Sequence, residues 1–232
     1  MKEIADRKQF QHYMDKYGLG EVFTEALTPY LKLYSCDQGE LICTQGEPAT
    51  ALYVLVKGKL KIYNTSPEGR TLIVTFQNPL EVVGDVEYIR AGEIINTVEA
   101  VSPVHMIGVE YRWLRKYGGD HSPLLHFLLD IITNKFYTKS TSMSFNLLYP
   151  VEIRLASYLL SVSFDEGDSQ FRGSLSTADL ADAANLIGTS YRHLNRVLRK
   201  FTAYGWVERS RSGIVVTDRD GLRRLVSRNI YE

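Results

Sequence analysis

Cysteine is scarce in this chain, and so are long apolar runs. Its 232 residues contain two cysteines, Cys36 and Cys43, too few for a four-thiolate iron–sulfur cluster. No apolar run approaches the ~20 residues that cross a bilayer, and the polar first thirty residues lack the pattern of a signal peptide. We therefore expect a cytoplasmic protein without membrane contact. Its thiols are either ordinary reduced cysteines or, alternatively, a redox-sensing pair.

The chain also lacks net charge, because 27 basic residues balance 27 acidic ones. The balance hides an asymmetry along the sequence. Residues 187–228 hold ten Lys or Arg against three acids, a local charge of +7, whereas residues 1–186 carry −6. This division indicates one basic functional surface on an otherwise acidic protein.

Recognisable catalytic machinery is missing as well. No nucleophile–base constellation or phosphate-binding loop stands out, and Gly118-Gly119 is a loop rather than a Walker motif. His105, His121 and His126 lack metal-ligand spacing with a carboxylate or cysteine. We expect no enzyme, no metal site and no resident cofactor.

Residues 176–201 form two short helical patterns joined at Gly188. Ser176 is a suitable N-cap for the first helix, and Thr189 or Ser190 for the second. Small apolar residues dominate the first pattern, and cations the second, which is typical of a DNA-reading helix-turn-helix. An ordinary helical hairpin with a solvated basic face is the alternative.

The second helix has an inward apolar face and an outward polar face. The inward residues recur at helical spacing: Leu194, Val197, Leu198 and Phe201. We expect base contacts from Tyr191, Arg192 and Arg196. Outward-facing Asn195 joins the predicted DNA surface, and the residues expected near phosphates are Ser190, His193, Arg199 and Lys200.

The segment that follows predicts a short hairpin, with Trp206 to Arg209, a turn at Arg211 to Gly213, and Ile214 to Val216. A hairpin after a helix-turn-helix is a wing. Its cations Arg209 and Arg211 are expected near the sugar-phosphate backbone.

Residues 30–110 are rich in β-branched runs separated by turn signals such as Gln45-Gly46-Glu47-Pro48 and Ser102-Pro103. Short strands at this spacing favour an antiparallel barrel or sandwich. The polar stretch 164–173 is expected to be a surface loop.

A long helix is expected between the two parts, because Ser122 and Pro123 begin a proline-free stretch that ends at Pro150. About 27 residues would form a helix of roughly 40 Å. Alternating steps of four and three mark an a/d seam, which favours a parallel dimer. Packing against the chain's own barrel is the alternative. The seam comprises Leu125, Leu129, Ile132, Phe136, Lys139, Met143 and Asn146.

The order of β-roll, long helix and winged helix-turn-helix resembles the Crp/Fnr family of transcription regulators, over about residues 30–220. The most specific patches are Gln45-Gly46-Glu47 with Leu52–Gly58, and Gly188–Leu198. The Ser-Tyr-Arg-His-Leu run from Ser190 is most similar to the YeiL branch.

The resemblance implies an α+β fold in three parts. These are an N-terminal helix with a jelly-roll sensor (residues 1–121), a dimerisation helix (122–149) and a winged helix-turn-helix domain (150–232). It further implies a homodimer that binds a pseudo-palindromic DNA operator and works with RNA polymerase. An effector-binding adaptor whose winged domain contacts protein is the alternative function.

The expected ligand site departs from the family pattern. Members that bind cyclic AMP have a Gly-Glu pair and then an Arg, whereas this chain has Gly84-Asp85 and no Arg between Glu93 and Thr97; Arg90 lies several residues too early. A phosphate would lack its bidentate partner, so we expect a signal other than cyclic AMP. A small anionic or polar effector would meet Gly84, Asp85, Glu87, Lys139 and Ser140. Alternatively, Lys139 sets the register of the seam.

Overall fold

The computed structural model describes residues 1–67, 69, 71–162, 174–175, 179–210 and 213–226. The chain forms two compact units, Met1–Arg70 with Val74–Phe136, and Thr71–Ile73 with Tyr137–Glu232. The boundary between them falls within the long helix. The predicted loop at 164–173, the N-cap Ser176 and the wing residue Arg211 lie outside the described residues.

The first unit is a two-sheet roll with helices at both ends of its sequence. It begins with β1 (Lys2–Ile4), α1 (Arg7–Lys16), α2 (Leu19–Val22) and a 3₁₀ turn (Thr28–Tyr30). The strands that follow are β2 (Lys32–Cys36), β3 (Leu41–Cys43), β4 (Ala51–Lys57), β5 (Leu60–Thr65), β6 (Thr71–Gln77) and β7 (Glu81–Val83). After them come α3 (Asp85–Arg90), β8 (Thr97–Ala100), β9 (Val104–Glu110) and α4 (Tyr111–Gly118).

The sheets have the strand orders β1-β2-β9-β4-β7 and β3-β8-β5-β6. The pairings of β2, β4 and β9 are antiparallel, which confirms the predicted roll. Strand β4 shows why it folds this way: Leu52, Val54 and Val56 pack with the helices, whereas Leu55 packs between the sheets. Side chains on a strand alternate between its faces, so one short apolar run serves two cores.

The long helix α5 spans Ser122–Leu148, which confirms its predicted extent. Leu124, Leu128 and Ile131 are buried in the core of the first unit. No helix in the described part of the chain is long and apolar enough to cross a membrane.

The second unit contains α6 (Val151–Val162), β10 (Ser174–Leu175), α7 (Asp179–Leu186), α8 (Tyr191–Ala203), β11 (Val207–Ser210), β12 (Gly213–Val216) and α9 (Arg219–Arg223). The three strands form a small sheet in the order β10-β12-β11. Strands β11 and β12 pair antiparallel from Val207↔Val216 to Ser210↔Gly213. The predicted winged helix-turn-helix is thereby confirmed.

Candidate DNA-binding surface

Helix α8 is held by one apolar face and by a cap at its first turn. Leu194, Val197 and Leu198 are at most 2% exposed, as the helical spacing predicts. The Ser190 hydroxyl accepts a hydrogen bond from the backbone N–H of His193 at 3.2 Å. Ser190 is therefore the N-cap, and its own O–H proton stays available for an acceptor outside the helix.

The outward side of α8 and the wing line an open groove of about 740 Å³. No carboxylate in the described ranges forms a salt bridge with Arg192, Arg196 or Arg199, so their guanidinium groups are available to an anion. The groove is lined by Ser190, Tyr191, Arg192, His193, Asn195, Arg196, Arg199 and Arg209. The structure thus brings together eight of the ten residues predicted to contact DNA.

Asn195 connects α8 with the wing. Its side-chain N–H donates to the carbonyl oxygen of Tyr191 at 3.0 Å, and its Oδ1 accepts from Arg209 Nη1 at 3.4 Å. The wing arginine therefore lies beside the first turn of α8. These contacts engage both ends of the Asn195 amide, while a direct DNA contact from it stays a prediction.

Lys200 lies outside the groove lining and has a protein partner. Its ammonium is 3.1 Å from Glu152 Oε1 on α6. Backbone hydrogen bonding at Glu152, followed by the bond from Lys200, lowers the pKa of Glu152 below its usual value. In this structure Lys200 fastens α8 to α6, and the phosphate contact expected of it stays a prediction.

The turn before α8 is held by two side chains that were not predicted to contact it. Gly188 has φ +63°, the left-handed conformation that ends a helix in a tight turn. Arg154 of α6 is 9% exposed, and its Nη1 donates to the carbonyl oxygens of Ile187 and, at 3.4 Å, Gly188. Asn146 of α5 donates to Leu186 O at 3.3 Å. The one sequence signal for Arg154 is its position as the single charged residue of the mostly apolar run Ile153–Leu160.

The residues of the expected effector site in the roll are buried and internally paired. Gly84, at φ +89°, is the N-cap of α3, and a Cβ there would lie 2.6 Å from the carbonyl oxygen of Ala51. Asp85 is 2% exposed and Glu87 8%. Glu87 Oε1 accepts the backbone N–H of Ile95 at 3.0 Å. Glu87 thus tethers the loop before β8.

Asp85 is neutralised by Lys135 of α5. The Lys135 ammonium lies 2.9 Å from both Asp85 oxygens and 2.6 Å from the carbonyl oxygen of Val82. Glu81 Oε2 is 3.7 Å away. Burial is the main reason why the pKa of Glu81 is raised. Lys135, which lies one helical turn before Lys139, was not among the predicted site residues.

Lys139 and Ser140 are exposed residues of α5 within the second unit. Lys139 has interactions of its own. Effector binding by Lys139 and Ser140, and by Gly84, Asp85 and Glu87, stays a prediction.

The predicted seam of α5 lies mostly exposed along the helix. Phe136 is 73% exposed and Met143 63%. Leu125 and Leu129 are also exposed, and Ile132 is half-buried. The core of the first unit uses a different stripe of the helix, so packing within that unit does not account for Leu125, Leu129 and Phe136.

The two cysteines lie in poor surroundings for a reactive thiolate. Cys36 is buried, and burial raises its pKa. Burial likewise raises the pKa of Cys43 to about 12. A reactive thiol needs the opposite shift, which disfavours the redox-sensing alternative. Among the described residues no group of three His, Cys, Asp or Glu side chains could hold a metal ion.

Comparisons with known proteins match the two parts of the chain to two known domains. The cyclic nucleotide-binding domain model matches residues 34–117, and the Crp-like helix-turn-helix domain model matches residues 153–225. A CRP-like cAMP-activated global transcriptional regulator of Mycobacterium tuberculosis is 24% identical over 86% of this chain and 90% of its own. Regulatory protein YeiL of Escherichia coli O157:H7 is also 24% identical, over 91% of this chain and 93% of its own.

A solved structure shares the same architecture. The Crp/Fnr-family transcriptional regulator from Eubacterium rectale has a TM-score of 0.77 at 20% identity, over 91% of this chain and 98% of that chain. A cyclic nucleotide-binding-type roll followed by a DNA-binding helix-turn-helix defines a class of transcription regulators rather than enzymes. The chain belongs to the Crp/Fnr family.

Proposed function

We propose that the chain is a homodimeric, sequence-specific DNA-binding regulator that responds to a signal other than cyclic AMP. The groove is the observation that best supports DNA binding. It is lined by four arginines, three on the exposed side of α8 and one on the wing. Arginine binds guanine bidentately, and cations at the groove edge attract phosphates. A helix presented in this way enters the major groove N-terminus first.

The exposed seam supports the dimer. Phe136 and Met143 leave large apolar surfaces in water, and α5 provides an a/d register for burying them against a second copy. Crp-like helix-turn-helix regulators bind DNA as dimers. Two recognition helices related by a two-fold axis would enter major grooves about 34 Å apart, so the operator should be pseudo-palindromic.

The Asp85–Lys135 pair supports a signal other than cyclic AMP. The M. tuberculosis relative is described as cAMP-activated, but this chain has no Arg between Glu93 and Thr97, where a phosphate-binding Arg is expected. The ammonium of Lys135 is already engaged by Asp85 and Val82. An anionic phosphate would have to compete with the Asp85 carboxylate for this ammonium.

The proposed regulator would act in the cytoplasm, where its DNA is, and RNA polymerase is the expected partner at the promoter. Effector action would shift a population between dimers with misplaced and correctly spaced reading heads.

DNA selection from a randomised duplex library tests the proposal. We expect enrichment of two inverted half-sites whose centres lie about one helical turn apart, and a dimer mass for the free protein by light scattering. Enrichment of no sequence, together with a partner captured through the winged domain, would favour the adaptor function instead.

Cyclic AMP added at millimolar concentration should leave the melting temperature unchanged, and a clear increase would refute the proposed ligand selectivity.

A further inference from the structure

The recognition helix follows a turn in which several backbone carbonyl groups accept hydrogen bonds from side chains of other helices. The last carbonyl groups of a helix have no partner within the helix. Asn185 O accepts from Gly188 N at 3.2 Å, and Ala184 O accepts from Thr189 N at 2.9 Å. The next three carbonyl oxygens, from Leu186 to Gly188, accept from Asn146 and Arg154.

The surroundings of Arg154 indicate that it binds the backbone of this turn. It is 9% exposed, and within the described ranges it forms no salt bridge. Its counter-charge is the negative end of α7, where carbonyl dipoles add. Both hydrogen bonds come from one nitrogen, Nη1, which carries two N–H groups and can donate one to each carbonyl oxygen. The partner of the cation is therefore the turn backbone, and burial keeps the cation away from a phosphate.

Two neighbouring helices fasten this turn. Arg154 lies on α6, and Asn146 lies on the part of α5 that belongs to the same unit. A Cβ on Gly188 would be 3.3 Å from Arg154 Nη1, so the guanidinium lies directly against the turn. Tyr191, the first residue of α8, follows three positions later.

We infer that Arg154 and Asn146 are positioning residues for DNA recognition. They fix the turn at Leu186–Gly188 and thereby the entry direction of α8, without touching DNA themselves. The inference rests on the proposed function. Bidentate base contacts need close geometry, whereas phosphate contacts carry no sequence information and tolerate displacement. Loosening the turn should therefore reduce sequence discrimination more than total affinity.

The test measures the ratio of affinities for a duplex selected by the wild-type protein and for a scrambled duplex of equal length. Arg154→Met should lower affinity for the selected duplex by about tenfold or more, the equivalent of one lost base contact. Affinity for the scrambled duplex should change less than about twofold, and the salt dependence should stay unchanged because no phosphate contact is lost. Asn146→Ala should act in the same direction.

Two further variants separate positioning from general stabilisation. Arg154→Lys keeps the charge on a shorter and more flexible side chain, so it should restore only part of the ratio. Arg223→Met removes an arginine that is 53% exposed on α9 and paired with Asp220, and it should leave the ratio unchanged. Melting curves confirm that each variant is folded at the assay temperature; if Arg154→Met is not, Arg154→Lys and Asn146→Ala carry the test.

Equal loss of affinity for both duplexes would mean that Arg154 only stabilises the domain, and the inference would be wrong. A wild-type protein that prefers no duplex would instead refute the proposed function, and this inference with it. A reduced salt slope in Arg154→Met would show a direct phosphate contact and would also overturn the inference.

Discussion

Replacing Lys135 by Met should destabilise the first unit strongly, because it leaves a buried carboxylate without its counter-charge. The Asp85 side chain is 3% exposed and that of Lys135 16%, with 2.9 Å between ammonium and carboxylate. At that distance, attraction at an effective dielectric constant of about 20 is about 6 kcal/mol. Desolvation offsets part of it, and removing one member of a buried pair typically costs about 3–5 kcal/mol.

Urea unfolding followed by tryptophan fluorescence provides the assay, since each unit contains one tryptophan. Trp113 belongs to the first unit and Trp206 to the second. In a Trp206→Phe background the signal reports the roll alone. We expect Lys135→Met to lower the free energy of unfolding of the roll by about 3–5 kcal/mol.

Two controls define what the loss means. The double variant Asp85→Asn, Lys135→Met removes both charges of the close pair and should recover part of the stability, because only Glu81, 3.7 Å from the Lys135 ammonium, then lacks its partner. Lys2→Met breaks an ion pair of 4.0 Å between Lys2 and Asp37, whose side chains are 78% and 80% exposed, and it should cost less than about 1 kcal/mol. A Lys135→Met roll as stable as wild type would refute the reasoning.

Four further outcomes are expected. Phe136→Glu should convert the dimer to a monomer by light scattering, because a charge in an apolar seam opposes association, and an unchanged dimer mass would contradict the seam. Arg196→Ala should lower discrimination between correct and wrong bases by about 1–3 kcal/mol. Arg199→Ala should instead retain discrimination and reduce the slope of log affinity against log salt by about 0.9. The reverse pattern would show that Arg199 contacts a base and Arg196 a phosphate. Cys43, with a pKa of about 12, should resist iodoacetamide at pH 8 in the folded protein, and rapid alkylation there would reinstate a reactive thiol. Burial raises the pKa of Glu81, so the folded protein should lose stability as pH rises from about 4.5 through the raised pKa. Glu81→Gln should lack this decline when unfolding is measured across pH. Parallel stability curves for the variant and the wild type would contradict the prediction.

Local patterns of the sequence predict most elements near the DNA-binding surface. The bounds of α5, the apolar face of α8 and the Ser190 cap all follow from spacing and capping rules that involve neighbours within a few residues. The groove follows in turn, because residues opposite an apolar helix face must point outward. This is why the predicted set from Ser190 to Arg199 lines one groove.

Such local rules cannot predict contacts between elements that are far apart in the sequence. Lys135 meets Asp85 across 50 residues, and Arg154 meets Ile187 across 33. A seven-residue period selects Lys139 because it considers only the helix itself, whereas the neighbouring roll determines which lysine is buried. Asn146 likewise fits the seam by spacing, but it donates to the turn before α8.

Fluorescence anisotropy with a selected duplex at two salt concentrations tests the central claim most directly. We predict saturable binding as a dimer, at least about a thousandfold tighter than to a scrambled duplex. Binding to both duplexes should weaken as salt rises from 50 to 200 mM. Binding that is absent, or equal for the two duplexes, would contradict the claim that the groove around Tyr191, Arg192 and Arg196 reads DNA sequence.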